Sequence, residues 1–544
     1  MPHGGQILVD ALKAQGTTRV FCVPGESYLA ALDGLYLSGI DTVVARQEGG
    51  AAMMAEAHGK LTGTPGICFV TRGPGATNAS AGVHVAMQDS TPMVLFIGQV
   101  ASDQRDREAF QEVDYRAMFA PLAKWVAEID RTERIPEYIS RAFHVAQSGR
   151  PGPVVLALPE DMLSAACEAA VVPAANPPSG RAADSDIAAI LAALNGAERP
   201  LILAGGPLWS EEARLALQDF AETAQIPVAT SLRCQDYFDN SHPNYAGDMG
   251  IAANPALAER LRAADVLLCL GARLGEMTTA GYTLVTPPVP EQKLLHVHPD
   301  PSEPGHVYHP ALAVAAQAGQ VARQLAAAAE APARGRGALV AEAHAAYQDW
   351  QAPEDTPGDL HMEQVLVHLR DTLPDTAILT NGAGNYCGWL HRYYRWHRFR
   401  TQLAPTSGSM GYGLPAAVAA ALHHPDRPVI CFAGDGCFQM TAQEFGTACD
   451  HGAKVIVLLV NNGMYGTIRM HQQAKYPGRV SGTRLKNPDF AAWARSYGAL
   501  GLTVTEDAGF PAAMAQALAA DTPALIELRT DPRALSTRLI LRDL

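Results

Sequence analysis

The feature that most constrains the fold is a repeated pattern of residue types along the whole chain. Short apolar or β-branched runs end at glycine-rich turns, and a helical pattern follows each of them; examples are RVFCVPG, PLILAGG and PVICFAGDG. Strands that are apolar throughout and alternate with helices are typical of parallel sheets covered on both faces. We therefore predict an α/β fold of three doubly wound parallel-sheet domains, with ligands at the carboxyl ends of the strands.

Two stretches rich in Pro, Ala and Gly divide the chain. The first is Val171–Asp184, and the second passes through Ala331 and resumes at Ala352. Such compositions favour extended linkers. A chain of 544 residues also has room for about three domains of ordinary size. The predicted domains, in chain order, are residues 1–170, 185–330 and 355–535.

Charge and cysteine content exclude several classes of protein. The net charge of −14, without a basic block, predicts no nucleic-acid binding, because an acidic surface repels phosphate backbones. The first residues lack a secretory signal, and no apolar run reaches membrane-spanning length. The nine cysteines are scattered without a CxxC pair, which favours reduced thiols and a cytoplasmic location.

The strongest chemical signal follows two strands of the third segment. One strand leads into Gly434-Asp435-Gly436, and the next ends at an Asn pair whose second member, Asn462, lies 27 residues after Asp435. A carboxylate, an amide oxygen and a backbone carbonyl at Met464 are the hard oxygen ligands that Mg²⁺ prefers. The glycines allow backbone N–H groups to approach phosphate oxygens. The pattern favours a magnesium-diphosphate site; the alternative is two ordinary strand-end turns.

GDG followed by NN after this interval resembles the signature of thiamine-diphosphate-dependent enzymes, and three further motifs carry the same resemblance. These are RQEGGA from Arg46, TRGPGATN from Thr71 and SGSMGYGLPAA from Ser407. Within this family the chain most resembles acetolactate synthases. The resemblance implies that the first domain binds the aminopyrimidine of the cofactor, the third binds its diphosphate, and the central one is a diverged helper domain. In that family the cofactor lies between two subunits, so a homodimer or homotetramer is expected.

The resemblance assigns roles to individual residues. Glu48 would bond a ring nitrogen of the aminopyrimidine and start ylid formation; alternatively it is a helix N-terminal acid that complements the dipole. Met410 would support the bent cofactor, and the Gly408 carbonyl would accept from its amino group. Asn385 and Tyr386 stand where acetolactate synthases usually have Gln-His. The expected cofactor contacts are Pro24, Glu48, Pro74, Asn78, Gly384, Asn385, Tyr386, Gly408, Met410, Gly434, Asp435, Gly436, Cys437, Asn462, Tyr465 and Gly466.

Other positions separate the branches of the family. Phe110-Gln111 resembles the acetolactate synthase pattern, the His pair of decarboxylases is absent nearby, and Ile468 stands where decarboxylases place a glutamate. These features favour a carboligase acting on 2-oxoacids. Glu26 resembles an acid of decarboxylases, so a 2-oxoacid decarboxylase or C–C lyase stays open, as do a flavin-dependent oxidase and a catalytically idle subunit. The expected catalytic residues are Glu48, Gln111 and Glu26, and the expected substrate contacts are Tyr28, Phe110, Gln111, Ile468 and His471.

The middle segment offers a second ligand class. Gly271–Glu276 and the HVHPDP run from His296 resemble the edge where acetolactate synthases hold a flavin without a redox role. FAD is therefore a candidate cofactor beside thiamine diphosphate and Mg²⁺. Arg273 would contact a nucleotide phosphate or would simply end a strand.

Overall fold

The fold consists of three parallel sheets of six strands each. The computed structural model describes residues 1–251, 253–332 and 335–541. Within these ranges every pair of neighbouring strands is parallel, and helices cover the sheets. The predicted α/β class with three doubly wound domains is therefore confirmed.

The first sheet has the strand order β2-β1-β3-β4-β6-β5. Its strands are β1 (Arg19–Cys22), β2 (Asp41–Val44), β3 (Gly66–Val70), β4 (Met93–Gln99), β5 (Trp125–Glu128) and β6 (Pro153–Pro159). Its helices are α1 (Gly4–Ala14), α2 (Leu29–Tyr36), α3 (Glu48–Thr62), α4 (Pro74–Asp89), α5 (Tyr115–Phe119), α6 (Ile135–Gln147) and α7 (Glu160–Ser164). The central strands β3, β4 and β6 are buried along their whole length because helices pack on both faces.

The middle sheet has a different order, β12-β11-β10-β7-β8-β9. Its strands are β7 (Pro200–Ala204), β8 (Val228–Ser231), β9 (Tyr245–Met249), β10 (Val266–Leu270), β11 (Lys293–His298) and β12 (Leu312–Ala315). Its helices are α8 (Asp184–Asn195), α9 (Glu211–Ala224), α10 (Pro255–Ala263), α11 (Ala318–Ala328) and α12 (Gly337–Trp350).

The third sheet, β14-β13-β15-β16-β18-β17, repeats the order of the first. Its strands are β13 (Ile378–Asn381), β14 (Gln402–Leu403), β15 (Val429–Gly434), β16 (Val455–Asn461), β17 (Leu500–Val504) and β18 (Ala524–Arg529). Its helices are α13 (Met362–Thr372), α14 (Cys387–Tyr393), α15 (Gly413–His423), α16 (Asp435–Phe438), α17 (Glu444–Asp450), α18 (Gly466–Lys475), α19 (Phe490–Ser496) and α20 (Phe510–Ala519).

The first and third domains share one hydrophobic core. Helix α3 packs against α15, and a single cluster of buried side chains runs from Phe21 to Leu525. At the edge of this contact the Tyr412 hydroxyl donates to the buried carboxylate of Glu56 at 2.5 Å. The two domains are therefore packed together within one chain, although the middle domain separates them in sequence.

The linkers differ in structure. Residues 171–183 form no helix or strand, as their composition predicts. The second proline-rich stretch is interrupted by helix α12, whose Tyr347 packs edge-to-face on Tyr245 of the middle sheet. Residues 333–334 of this stretch lie outside the described residues, and the domain boundaries stay a prediction. No helix among the described residues is both long and apolar enough to cross a bilayer.

Candidate active site

The Gly-Asp-Gly and Asn-Asn motifs meet at one edge of the third sheet. Strands β15 and β16 are parallel neighbours, and their register pairs Gly434 with Val460. Asp435 and Asn462 therefore follow adjacent strand ends, as the sequence pattern predicts. Asp435 opens the short helix α16 and is only 3% exposed.

The Asp435 carboxylate is held by three donors. Its Oδ1 accepts from the backbone N–H of Gly436 at 2.9 Å, and its Oδ2 accepts from that of Gly463 at 3.0 Å. The Asn487 amide also donates to Oδ2, at 2.7 Å. Burial raises the pKa of Asp435 above its ordinary value, while these hydrogen bonds act in the opposite direction. The carboxylate is thus fixed in orientation and placed where a cation would favour its charge.

The loop after β16 presents further oxygen ligands. The side-chain oxygen of Asn462 accepts from the Met464 N–H at 3.2 Å, and the Met464 carbonyl accepts from the Gly466 N–H at 3.0 Å. No group of three or more His, Cys, Asp or Glu side chains in the described part of the chain is arranged to hold a metal. Any metal at Asp435 would therefore rely on the amide and carbonyl oxygens, which suits Mg²⁺ better than a softer ion.

A cavity of about 420 Å³ opens at this edge of the third sheet. It brings together most of the residues that the sequence assigns to the third-domain half of the site. Those that line it are Gly384, Asn385, Tyr386, Gly408, Met410, Gly434, Asp435, Gly436, Cys437, Asn462, Met464, Tyr465, Gly466 and Ile468.

The Asn385-Tyr386 pair forms a wall of this cavity. The Tyr386 ring packs beneath Gly434, where an added Cβ would lie 2.7 Å from it, and the Tyr386 hydroxyl donates to the Cys437 sulfur at 3.1 Å. Asn385 accepts from the Thr467 hydroxyl at 2.9 Å and so joins this wall to helix α18. Both side chains therefore shape the cavity and connect its loops.

Gly408 leaves room on the opposite side. It has φ +68°, and an added Cβ would meet no atom within 4 Å. A side chain there would be strained and would enter the cavity, so glycine keeps this space open.

The first-domain residues form a second group. Glu48 is the first residue of α3, where the Gln47 side chain caps the helix by accepting from Gly49 and Gly50. Capping by Gln47 frees the Glu48 carboxylate, which accepts from the Asn78 amide at 2.9 Å. Glu48 is only half-buried, so one side of it is available to a ligand.

Gln111 combines two unfavourable features. It has φ +63°, and its side-chain oxygen is buried without a hydrogen-bond partner among the described residues. Backbone strain and unsatisfied polar atoms concentrate at functional sites. Next to it, Phe110 is 72% exposed and lies 5.9 Å from the Arg72 guanidinium, which also donates to Glu26 at 3.4 Å.

Some of the predicted cofactor and substrate contacts do not line the 420 Å³ cavity. Tyr28 is 1% exposed, stacks on Phe69 within the first-domain core and donates its hydroxyl to the Val23 carbonyl, so its position is that of a packing residue. His471 is exposed on α18 outside the lining of the cavity. Pro24 and Pro74 are exposed at the carboxyl edge of the first sheet.

None of the first-domain residues lines the 420 Å³ cavity. Within one chain the assigned residues therefore fall into two half-sites, one after the strands of the first sheet and one after those of the third. Phe110 is exposed on the first half-site and Ile468, at 51%, on the second.

Sequence reasoning missed Asn487 at the third-domain edge. Asn487 donates to Asp435 and also to Asn461 at 2.8 Å, and Asn461 in turn donates to Glu527 at 2.7 Å. The NPDF run that contains Asn487 carries no recognisable ligand pattern, and its closeness to Asp435 depends on the return of the chain across the sheet edge. The Asn pair itself is a usable signal. Asn462 accepts from the Met464 N–H in the loop after β16, and Asn461 connects Asn487 to Glu527 behind it.

Three family models match the chain. The model for the thiamine pyrophosphate enzyme N-terminal TPP binding domain matches residues 2–118. The model for the central domain of the same enzymes matches residues 187–325, and that for the C-terminal TPP binding domain matches residues 382–528. The matches follow the three sheets in order.

Curated relatives resemble the chain over nearly its full length. An acetolactate synthase isozyme 1 large subunit from Escherichia coli is 32% identical, covering 97% of this chain and 94% of the relative. An acetolactate synthase large subunit from Parasynechococcus marenigrum is 31% identical, covering 96% and 87%. One from Corynebacterium glutamicum is 31% identical, covering 92% and 82%.

Proposed function

The chain belongs to the thiamine pyrophosphate enzyme family, and on that premise we propose that it is a thiamine-diphosphate-dependent carboligase acting on 2-oxoacids. It would decarboxylate one oxoacid and join the remaining fragment to a second carbonyl compound. The observation that carries this proposal is the cavity in which Asp435, Asn462 and Met464 lie together beside a glycine-lined wall. The acetolactate synthase relatives support the reaction type.

The residues present fit the cofactor. Hard oxygen donors at Asp435, Asn462 and Met464 suit Mg²⁺ bridging a diphosphate, and the open side of Gly408 leaves room for a ring system. When bound, thiamine diphosphate supplies a carbon acid that acts as nucleophile and electron sink. Glu48 would hold the proton at the aminopyrimidine ring nitrogen, the Gly408 carbonyl would accept from the amino group, and Met410 would support the rings.

A complete site needs both half-sites. Glu48, Asn78 and Gln111 lie on the first domain, whereas the proposed metal ligands line a cavity of the third domain that these residues do not line. Exposure of Phe110 and Ile468 on the two half-sites supports their burial against another copy. We therefore infer a homodimer or homotetramer with the active sites between subunits.

Ligation rather than release of an aldehyde is the proposed outcome. Ile468 lines the cavity where a protonating carboxylate would be needed, and the strained Gln111 is placed to border an acceptor. Glu26 supports the alternative, a decarboxylase or C–C lyase, because a carboxylate near the reaction can move protons. Its contact with Arg72, which also bonds Glu160, reduces that freedom.

Product analysis separates the two reactions. The protein is incubated with a panel of 2-oxoacids, with and without an acceptor, and a hydroxyketone is the expected main product. Glu26→Ala should raise the share of ligation when the acceptor is an oxoacid, because a negative charge is removed from its path. Dominant aldehyde at saturating acceptor, lost in Glu26→Ala, would establish the decarboxylase instead.

We also propose that the larger cavity between domains, of about 970 Å³, accepts a nucleotide such as FAD. Gly271 and Arg273 line it, although the Arg273 guanidinium also donates to the Gln88 carbonyl at 2.7 Å. A flavin absorbance spectrum of the purified protein tests this assignment. A cytoplasmic location is proposed from the cysteines, all nine of which are free.

A further inference from the structure

Arg233 occupies a position that its sequence context does not predict. It follows strand β8 of the middle domain, yet it lines both the 970 Å³ inter-domain cavity and the 420 Å³ cavity of the third domain. Among the described residues that line the two cavities, Arg233 is the one that they have in common. Its side chain therefore stands at the junction between them.

Within the described residues, the charge of Arg233 lacks a balancing partner. The residue is 6% exposed; its Nη1 donates to the Pro405 carbonyl, and its Nε is buried without a hydrogen-bond partner in that part of the chain. No carboxylate in the described ranges forms an ion pair with it. An unpaired charge in the interior is strongly unfavourable unless another group compensates it.

Three other buried arginines in the described part of the chain are satisfied. Arg214 pairs with Glu211 at 2.7 Å, and Arg392 pairs with Glu354 at 2.6 Å. Arg336 donates to three backbone carbonyls instead. Arg233 differs from these three in having a buried donor that lacks an acceptor among the described residues.

The groups around Arg233 do not supply the missing charge. Asp236 uses one carboxylate oxygen to accept from the N–H groups of Thr401 and Gln402. His391 stays neutral, because burial, and then the charge of Arg233, lower its pKa to about 3.

The backbone at Arg233 adds a second indication. Its φ is +60°, a left-handed conformation that favours glycine. A non-glycine residue kept in such a conformation points to a functional demand on its side chain. Here the demand is a guanidinium at the cavity junction.

We propose that the junction of the two cavities is a binding site for a small oxyanion, a carboxylate or inorganic phosphate, held by the Arg233 guanidinium. The anion supplies the charge and the acceptors that Arg233 lacks. Because Arg233 also holds Pro405, which leads into the Gly408–Met410 segment, anion binding stabilises that segment.

Crystals of the full-length apo-protein soaked in sodium bromide test the location directly. An anomalous peak within hydrogen-bond distance of Arg233 is expected, and its absence from the junction would overturn the proposal. Calorimetric titration with sodium acetate and with sodium phosphate, at constant ionic strength, then tells which oxyanion binds more tightly.

Two variants separate charge from backbone strain. Arg233→Gly relieves the left-handed backbone and removes the cation, so the affinity for the preferred anion should fall at least about tenfold, as expected for a lost charged hydrogen bond. Arg233→Lys keeps the cation and should retain most of the affinity. Equal anion affinity in wild type and Arg233→Gly would refute the assignment. If Arg233→Gly does not fold, the anomalous bromide map of the wild type and the anion affinity of Arg233→Lys still test the proposed site.

Discussion

Replacing Glu48 by Gln tests the proposed chemistry with little disturbance of the fold. The Gln side chain keeps an oxygen that can accept from the Asn78 amide, the contact that Glu48 makes at 2.9 Å. The main loss is one negative charge at the first residue of α3, where the helix dipole favours an acid by about 0.3–1 kcal/mol. The helix cap does not change, because Gln47 provides it.

The expected chemical effect is much larger than the effect on stability. Loss of a general acid–base group slows a proton transfer by about 10²–10⁴-fold. That range corresponds to about 3–5 kcal/mol at roughly 1.4 kcal/mol per decade. Cofactor affinity should change by less than about tenfold, because the proposed diphosphate and metal contacts lie on the third domain.

The assay is deuterium exchange at the reactive thiazolium carbon of bound cofactor, followed by NMR after acid quench, with the dissociation constant measured separately. Asn78→Ala is a matched control, since it removes the same hydrogen bond and leaves the carboxylate. Exchange at the wild-type rate in Glu48→Gln would refute the catalytic role. Slow exchange in Asn78→Ala alone would assign the effect to positioning.

Three further predictions follow from the same geometry. Asp435→Ala should weaken Mg²⁺ and cofactor binding about a hundredfold or more, because it removes the carboxylate, held by Gly436, Gly463 and Asn487, that we propose as the charged metal ligand; calorimetry checks this, and unchanged affinity would contradict it. Mixing dissociated Glu48→Gln and Asp435→Ala proteins should restore activity, because a mixed dimer contains one intact site; no recovery despite proven subunit exchange would place the site within one chain. Burial lowers the pKa of His58, which lies on α3 and packs edge-to-face on His423 of α15, from 6.5 to about 4, so stability present above pH 6.5 should be lost as the pH falls towards 4, by up to about 3 kcal/mol. His58→Asn should reduce that loss in urea unfolding at pH 7 and 4.5, and an unchanged difference would refute this.

Sequence reasoning succeeded where residue type and strand position together define the geometry. Asp435 and Asn462 follow apolar strands, and parallel neighbours bring such positions to one edge regardless of the rest of the fold. Glu48 was assigned through its motif alone, since a helix N-terminal acid is common without any catalytic role, and its role stays a prediction.

Other features depend on tertiary contacts that a local pattern does not contain. The matching strand order of the first and third sheets is set by crossover connections, and the period of the apolar runs is the same for any order. Tyr28 follows the Pro24-Gly25 turn, which contains an expected cofactor contact, yet its ring points into the core and packs on Phe69. Asn487 contacts Asp435, and Arg233 lines the third-domain cavity. Both come from distant parts of the sequence, so motif spacing alone does not reveal them.

The core shared by α3 and α15 affects how the protein is made. About 250 residues lie between the end of β6 and the start of α15, so a ribosome adding about 5–20 residues per second needs roughly 10–50 s to deliver the second helix after the first domain is complete. During that interval the apolar side of α3 faces water. The side chains of Glu56 and Lys60, which contact Tyr412 in the folded protein, are not yet covered by it. Nascent chains at this stage present a hydrophobic surface of the kind that chaperones bind. A stop codon anywhere in the middle domain would leave that surface uncovered permanently, so such fragments should aggregate even though their first domain contains a complete sheet.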